Sequence, residues 1–178
     1  STVTAHLGFS VNNSEYKVMG LAPYGKPIYY DKLKQVLSVK EDGSYKLDMS
    51  YFVFHYKSTM PSEKFLAEFG PIRKGSEPVT QHHQDMAASL QKLTEDVVVS
   101  ILNYVYKETG EKNLCMAGGV ALNSVCNGKL LSRTSFKDIF IQPAAGDGGT
   151  SIGGAFYIHN SILKNPRTGT MTHAYLGP

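Results

Sequence analysis

Two stretches decide how this chain reads: Asn113-Leu-Cys-Met-Ala-Gly-Gly-Val-Ala-Leu-Asn123 and Ile141-Gln-Pro-Ala-Ala-Gly-Asp-Gly-Gly-Thr-Ser-Ile-Gly-Gly-Ala155. In each, a short apolar run stops at glycines and the chain continues into a segment of helical character. A strand that ends in glycines and enters a helix leaves bare backbone N–H groups beside a helix N-terminus, the arrangement that receives phosphate. The second stretch also sets a carboxylate, Asp147, between glycines. A lone acid beside a phosphate cradle points to a metal ion or a positioned nucleotide. The pair predicts a nucleotide site built from two strand–loop–helix units.

The surrounding periodicity supplies the frame. Met86, Leu90, Leu93, Val97, Ile101 and Val105 recur every three or four residues and predict a helix over 81–108, capped by Thr80 and ended by Gly110. Downstream, Ser124–Arg133 reads as a helix, Asp138–Gln142 as a buried strand and Ser151–Lys164 as a helix. The small residues Gly153, Gly154 and Ala155 predict that this last helix starts close against a neighbour. Upstream, the pattern predicts a short helix over Tyr16–Leu21, stopped by Pro23 and Gly25. An amphipathic helix follows within 28–40, on Leu33, Val36 and Leu37. The turn Glu41–Ser44 joins short strands near 36–40 and at Tyr45–Leu47. A helix is expected over Ser62–Phe69 and a loop over 70–78. The aromatic group Tyr51, Phe52, Phe54 and Tyr56 reads as core or interface rather than as a base-stacking platform. Helix, strand, glycine loop, helix, strand, glycine loop, helix is the order of an α/β fold, a mixed sheet with flanking helices. Its ligand belongs at the carboxyl ends of the strands.

Composition narrows the partners. The 178 residues suffice for one domain with a core. A formal net charge of +3, evenly spread, gives no basic face for nucleic acid. No apolar run reaches the roughly 18 residues that a membrane span needs. The N-terminal Ser-Thr-Val-Thr-Ala-His has no signal-peptide character, and with two unframed cysteines, Cys115 and Cys126, a cytoplasmic protein with reduced, mostly buried thiols is expected. The chain lacks an initiator Met and is expected to be a piece of a longer protein. His82, His83 and Gln84 are expected to face solvent. His6, His55, His159 and His173 have no partner evident from sequence.

Three blocks carry a resemblance: Glu15-Tyr-Lys-Val-Met-Gly-Leu-Ala-Pro-Tyr-Gly25, Ala117-Gly-Gly-Val-Ala-Leu-Asn123 and Pro143-Ala-Ala-Gly-Asp-Gly-Gly149. They resemble the signature blocks of the O-carbamoyltransferases, which act on nodulation factors and on cephamycin and aminoglycoside antibiotics. Met171–Pro178 resembles the exit from that family's first domain. The resemblance covers most of the chain and is weakest over 28–80. It implies an actin/hexokinase/Hsp70-like (ribonuclease H-like) lobe, the fold shared with tRNA threonylcarbamoyl-transfer enzymes. Residues 1–164 would be the C-terminal lobe of the carbamoyl-transfer domain and 165–178 an exit linker. The implied ligands are ATP or carbamoyl-adenylate and a divalent metal: iron, manganese or magnesium. The implied partners are carbamoyl phosphate, a hydroxylated small-molecule acceptor, an N-terminal lobe and a C-terminal adenylate-forming domain. The family's His-x-x-x-His metal pair does not occur here, His82 and His83 being adjacent. The isolated chain is therefore expected to be inactive, and a face left open by the absent lobe is expected to favour a homodimer.

By this resemblance Gly118, Gly119, Val120, Asn123, Gly146 and Gly148 approach the nucleotide. Glu15 would meet ribose hydroxyls, Lys17 phosphate, and Asp147 a metal. Plainer readings stand beside these: a tight turn at Gly118 and Gly119, helix capping by Asn123 and by Asp147, and a solvated pair at Glu15 and Lys17. No general base is identifiable. Two rivals remain: a sugar-kinase or ATPase lobe of the same superfold, and a non-catalytic nucleotide-binding module.

Overall fold

The computed structural model describes residues 1–169, 171 and 173. Its elements in chain order are α1 (Thr2–His6), α2 (Glu15–Leu21), α3 (Tyr30–Val36), β1 (Leu37–Val39), β2 (Tyr45–Leu47), α4 (Glu63–Phe69), α5 (Gln81–Thr109), β3 (Asn113–Met116), α6 (Ser124–Arg133), β4 (Asp138–Ile141) and α7 (Thr150–Phe156). The 29-residue helix α5 is the axis, and both hydrophobic cores lie along it. Thr80 caps it as expected. The Thr80 side chain accepts from the backbone of His83, while the Thr80 N–H donates to His83 Nδ1 at 2.9 Å. An imidazole thus closes a capping box where Glu or Gln is usual.

Around the first half of α5, helices α1 to α4 enclose a core that includes Leu7, Val18, Leu33, Phe65, Phe69 and Met86. Full burial of Phe65 or Phe69 contributes roughly 1.5–3 kcal/mol each. Polar side chains of α5 hold the irregular segment after α2. Asp85 accepts from the Lys26 N–H at 2.7 Å, and Ser89 accepts from the Tyr29 N–H at 3.0 Å. These bonds satisfy backbone donors that no helix or sheet serves. Ser62 caps α4 by accepting from the Phe65 N–H. β1 and β2 form an antiparallel hairpin with Ser38 opposite Lys46. The aromatic group divides: Tyr51 and Phe52 are buried, Phe54 and Tyr56 exposed.

One expectation fails in this half. His82, His83 and Gln84 are half-buried, not solvated. Tyr29 Oη lies 2.8 Å from His82 Nδ1, and the His82 ring packs edge-on against His6. His6 is completely buried and also packs edge-on against Phe65. The turn before α5 folds the front of that helix inward over α1, which sequence spacing cannot reveal.

Around the second half of α5, β3 and β4 pair in parallel, from Asn113 opposite Asp138 to Met116 opposite Ile141. Leu114, Met116 and Ile139 pack with Val99, Leu102, Leu130 and Phe136. The other face shows Cys115 and Phe140 to solvent. β4 is thus half-buried rather than buried, and one thiol is exposed while Cys126 is buried. Strand alternation over a sheet covered on one side produces both results. The expected single mixed sheet is not formed by the described residues; they hold two separate two-stranded sheets. α7 widens into a π-helical segment, Tyr157–Ile162, and ends before the expected Lys164. Phe156, Tyr157, Ile158 and Ile162 are all exposed. A Cβ at Gly153 or Gly154 would meet nothing, so the expected close neighbour is absent among the described residues. Residues 165–169 have no regular structure, and most of the Met171–Pro178 block lies outside the described residues.

Candidate functional site

The two glycine loops meet. β3 ends at Met116, and Gly118 follows with φ +102° and ψ 167°. That left-handed conformation suits glycine and strains any other residue. It turns the Gly118 N–H onto the Ala145 carbonyl of the second loop at 2.8 Å. The first loop then makes a 3₁₀ turn, Gly119–Leu122, before α6. In the second loop a 3₁₀ turn, Asp147–Gly149, leads into α7. Gly146 touches the first loop, since a Cβ there would lie 3.3 Å from Leu122 Cδ1. Gly149 is required by close approach: its Cβ would lie 2.1 Å from the Ala144 carbonyl oxygen. Gly119 and Gly148 instead face open space. The two loops thus lie against each other at the carboxyl ends of two parallel strands, where α/β folds place ligands.

The two polar residues of the loops behave differently. Asn123 is the α6 cap, its Oδ1 accepting from the Cys126 N–H at 3.0 Å. Asp147 caps nothing. Asp147 is exposed and its side chain takes no cap bond, while its carbonyl accepts from the Thr150 N–H and from the Thr150 hydroxyl, the latter at 2.6 Å. Val120, in the first loop, is exposed. Glu15 and Lys17 lie at the start of α2, and no hydrogen bond or ion pair joins them to the loops. Glu15 Oε1 accepts from the Asn12 N–H at 3.0 Å, and Lys17 Nζ lies about 6 Å from the Phe9 and Tyr16 rings. The nearer end of α2 does reach the first loop, where the Ser124 hydroxyl sits 3.8 Å from Met19 Sδ.

A polar network behind Asn123 escapes the sequence reading. Gln91 and Asn123 exchange hydrogen bonds, Gln91 Nε2 to Asn123 Oδ1 at 3.1 Å and Asn123 Nδ2 to Gln91 Oε1 at 2.9 Å. Gln91 Nε2 also donates to Glu95 Oε1 at 2.9 Å. Lys129 Nζ donates to that same oxygen at 2.6 Å, and Arg133 lies 3.7 Å from Oε2. Arg133 continues to Asp96, which also accepts from the Tyr30 hydroxyl at 2.6 Å. That hydrogen bond, with burial next, pushes the Tyr30 phenol up to about 12. Burial, and then the nearby Glu95 charge, push the Cys126 thiol up, which argues against a nucleophilic thiolate there. Gln91 and Glu95 are buried and line a cleft of about 410 Å³ with Met19, Pro23, Val125 and Lys129. The available signal was their i, i+4 spacing on α5, next to the apolar stripe.

The fit of a metal is incomplete. Asp147 offers one hard oxygen, and among the described residues no group of three His, Cys, Asp or Glu side chains could hold an ion. A catalytic metal ordinarily takes about three protein ligands. No helix among the described residues is long and apolar enough to cross a membrane.

Comparison with known proteins adds an independent line. The chain is 49% identical over 184 residues to an uncharacterized protein of Synechocystis sp. (strain ATCC 27184 / PCC 6803 / Kazusa), covering 100% of this chain and 30% of that protein. It is 40% identical over 165 residues to nodulation protein NolO of Bradyrhizobium diazoefficiens, covering 92% and 28%. It is 28% identical over 163 residues to the tRNA N6-adenosine threonylcarbamoyltransferase of Listeria monocytogenes serotype 4b, covering 79% and 46%. The chain thus spans less than half the length of each. The profile described as carbamoyltransferase N-terminus matches residues 1–156, a stretch that contains both glycine loops and the Asn123 network, so the chain belongs to the carbamoyltransferase N-terminus family.

Proposed function

We propose that the two joined glycine loops frame a hollow that binds the nucleotide part of carbamoyl-adenylate, and that this chain contributes that half of the site to an O-carbamoyltransferase. One observation carries the reading: the Gly118 N–H bonded to the Ala145 carbonyl, which joins two strand-end loops into a single receptor. In this reading Gly118, Gly119, Gly146 and Gly148 leave backbone and room for phosphate and ribose. Val120 is a wall and Asn123 a hydrogen-bonding group. The Lys17 ammonium, with no acid partner among the described residues, remains available for phosphate, and Glu15 keeps Oε2 for a ribose hydroxyl. Family membership and the likeness to NolO support the transfer chemistry.

The step is an acyl transfer. The acceptor hydroxyl oxygen bonds to the carbamoyl carbon, the bond from that carbon to the phosphate oxygen of AMP breaks, and the hydroxyl proton passes to a base. Asp147 would give one oxygen to a divalent metal completed by groups beyond this chain, and such a metal supplies Lewis-acid polarisation when bound. Formation of the adenylate from carbamoyl phosphate and ATP is assigned to polypeptide outside this chain. The chain alone is therefore expected to bind nucleotide without turning over carbamoyl phosphate.

The test is calorimetric titration of ADP into the parent and into Gly119→Leu. Position 119 faces open space, so the variant keeps the fold while its side chain enters the hollow. We expect ADP binding to weaken at least tenfold with the melting temperature unchanged. Equal binding by the two proteins sinks the assignment of the hollow.

A further inference from the structure

We infer that Gln91 and Glu95 are positioning residues that fix the carboxamide of Asn123 so that it meets its ligand as a hydrogen-bond donor, never as an acceptor. The inference rests on the nucleotide reading above and deepens it, because it states which atoms of the ligand Asn123 is able to recognise.

An amide side chain has two faces, and either can be presented unless something fixes it. Here both ends of the network fix the same answer. At one end, the Cys126 backbone N–H is a donor and nothing else, so the Asn123 atom 3.0 Å from it must be Oδ1. At the other end, Glu95 is held by Lys129 at 2.6 Å and by Arg133 at 3.7 Å. The Lys129 ammonium can only donate, so Glu95 Oε1 is an acceptor, and the Gln91 atom 2.9 Å from that oxygen must be Nε2. That choice turns Gln91 Oε1 onto Asn123 Nδ2, at 2.9 Å. The hydrogen-bond polarity running from the ion pair agrees with the polarity running from the helix cap.

The remaining capacity of Asn123 follows by count. Oδ1 accepts from Cys126 and from Gln91, which uses both of its lone pairs. Nδ2 gives one of its two hydrogens to Gln91. A single N–H is left, on a residue that is only half-buried at the mouth of the first glycine loop. The group it recognises is therefore an acceptor oxygen, of a phosphate or a ribose hydroxyl. Gln91 is 9% exposed and Glu95 7%, so little of either side chain is open to water. A surface Asn rotates at will and selects neither.

The experiment records ¹⁵N side-chain amide spectra and ADP titrations of the parent, Gln91→Leu and Asn123→Asp. In the parent, the Asn123 side-chain amide protons are expected to exchange with water at least tenfold more slowly than a free carboxamide, and to shift on ADP addition. In Gln91→Leu that protection is lost and ADP affinity falls about tenfold, while the Cys126 amide stays protected because Asn123 still caps α6. Asn123→Asp keeps the cap and removes the donor, and is expected to lose affinity for adenosine as well as for ADP. The adenosine arm separates a lost donor from charge repulsion of phosphate. Fast exchange of the Asn123 amide in the parent overturns the positioning, whatever the nucleotide result. If the parent binds ADP and Gln91→Leu binds it equally, the inference fails and the nucleotide reading survives. If the parent shows a protected Asn123 amide that Gln91→Leu releases but binds no ADP, the positioning stands and the nucleotide reading falls.

Discussion

Around the first half of α5 the polypeptide closes on itself, whereas around the second half it stays open. In the first region four helices surround a core in which Leu7, Phe65, Phe69 and Met86 are at most 1% exposed. In the second, a two-stranded sheet is covered on one face only, and α7 with its π-helical extension leaves Phe156, Tyr157 and Ile158 more than half exposed. Open apolar surface of that kind marks interaction faces rather than finished cores. The difference separates two tasks. The closed region holds the scaffold and the loop after α2, while the open region carries the glycine loops, whose backbone must stay accessible. Accessible glycine backbone and a sealed core cannot occupy the same residues.

The largest expected effect lies in the closed region. Phe69→Ala removes a fully buried ring from between Phe65, Tyr29 and Tyr51 and should cost about 3–5 kcal/mol in urea unfolding. Ile158→Ala, from the open region, should fall within about 0.5 kcal/mol of the parent. Similar losses for the two would erase the contrast.

The next effect depends on pH and sharpens the picture of the closed region. Burial first, and then the neighbouring His82 and His83, lower the His6 pKa to about 4, a pull that the Phe69 carbonyl opposes. Neither ring nitrogen of His6 has a hydrogen-bond partner among the described residues. Around it, His83 feels Arg73 as a further like charge and Glu77 as the opposing one. A histidine with a depressed pKa in the folded state binds its proton preferentially when unfolded. Stability is therefore complete above about pH 6.5 and declines as pH falls toward 4, by on the order of 3 kcal/mol in the limit. His6→Phe should flatten that decline in a series of melts from pH 7.5 to 4.5. A decline of unchanged slope would place the acid sensitivity elsewhere.

The smallest effect probes the open region. Gly154→Ala replaces a glycine inside an exposed helix where nothing crowds its Cβ, and should stabilise by about 1 kcal/mol at most. A loss instead of a gain would reveal a close neighbour that these residues do not show.

Elements with strong local signals were legible in the sequence. The apolar spacing of α5, the Thr80 cap and the glycine ends of β3 and β4 all act within a few residues of themselves. The meeting of the two glycine loops was legible too, because parallel strands in register bring their carboxyl ends together. Environment was harder to read. Cys115 and Phe140 look like core by residue type and are exposed, because coverage of a strand's second face is decided by other parts of the polypeptide. His6 and His82 look like surface by type, yet His6 is buried and His82 half-buried, because the turn at 70–80 folds α5 back over α1. Gln91 went unnoticed for a related reason. Its partner Asn123 is 32 residues away, and nothing in either local pattern announces the pairing.

α5 runs for about 44 Å without a break, at the usual rise per residue. Its early turns supply Met86, Ala87 and Leu93 to one core, and its later turns supply Val99 and Leu102 to the other. A helix resists melting halfway along, because every new end leaves backbone groups unpaired. Heat absorbed by the compact half is therefore transmitted down a common spine, and a calorimeter should record a single peak for the two cores despite their unequal finish. The same spine gives the two glycine loops a rigidity that their own short strands do not provide.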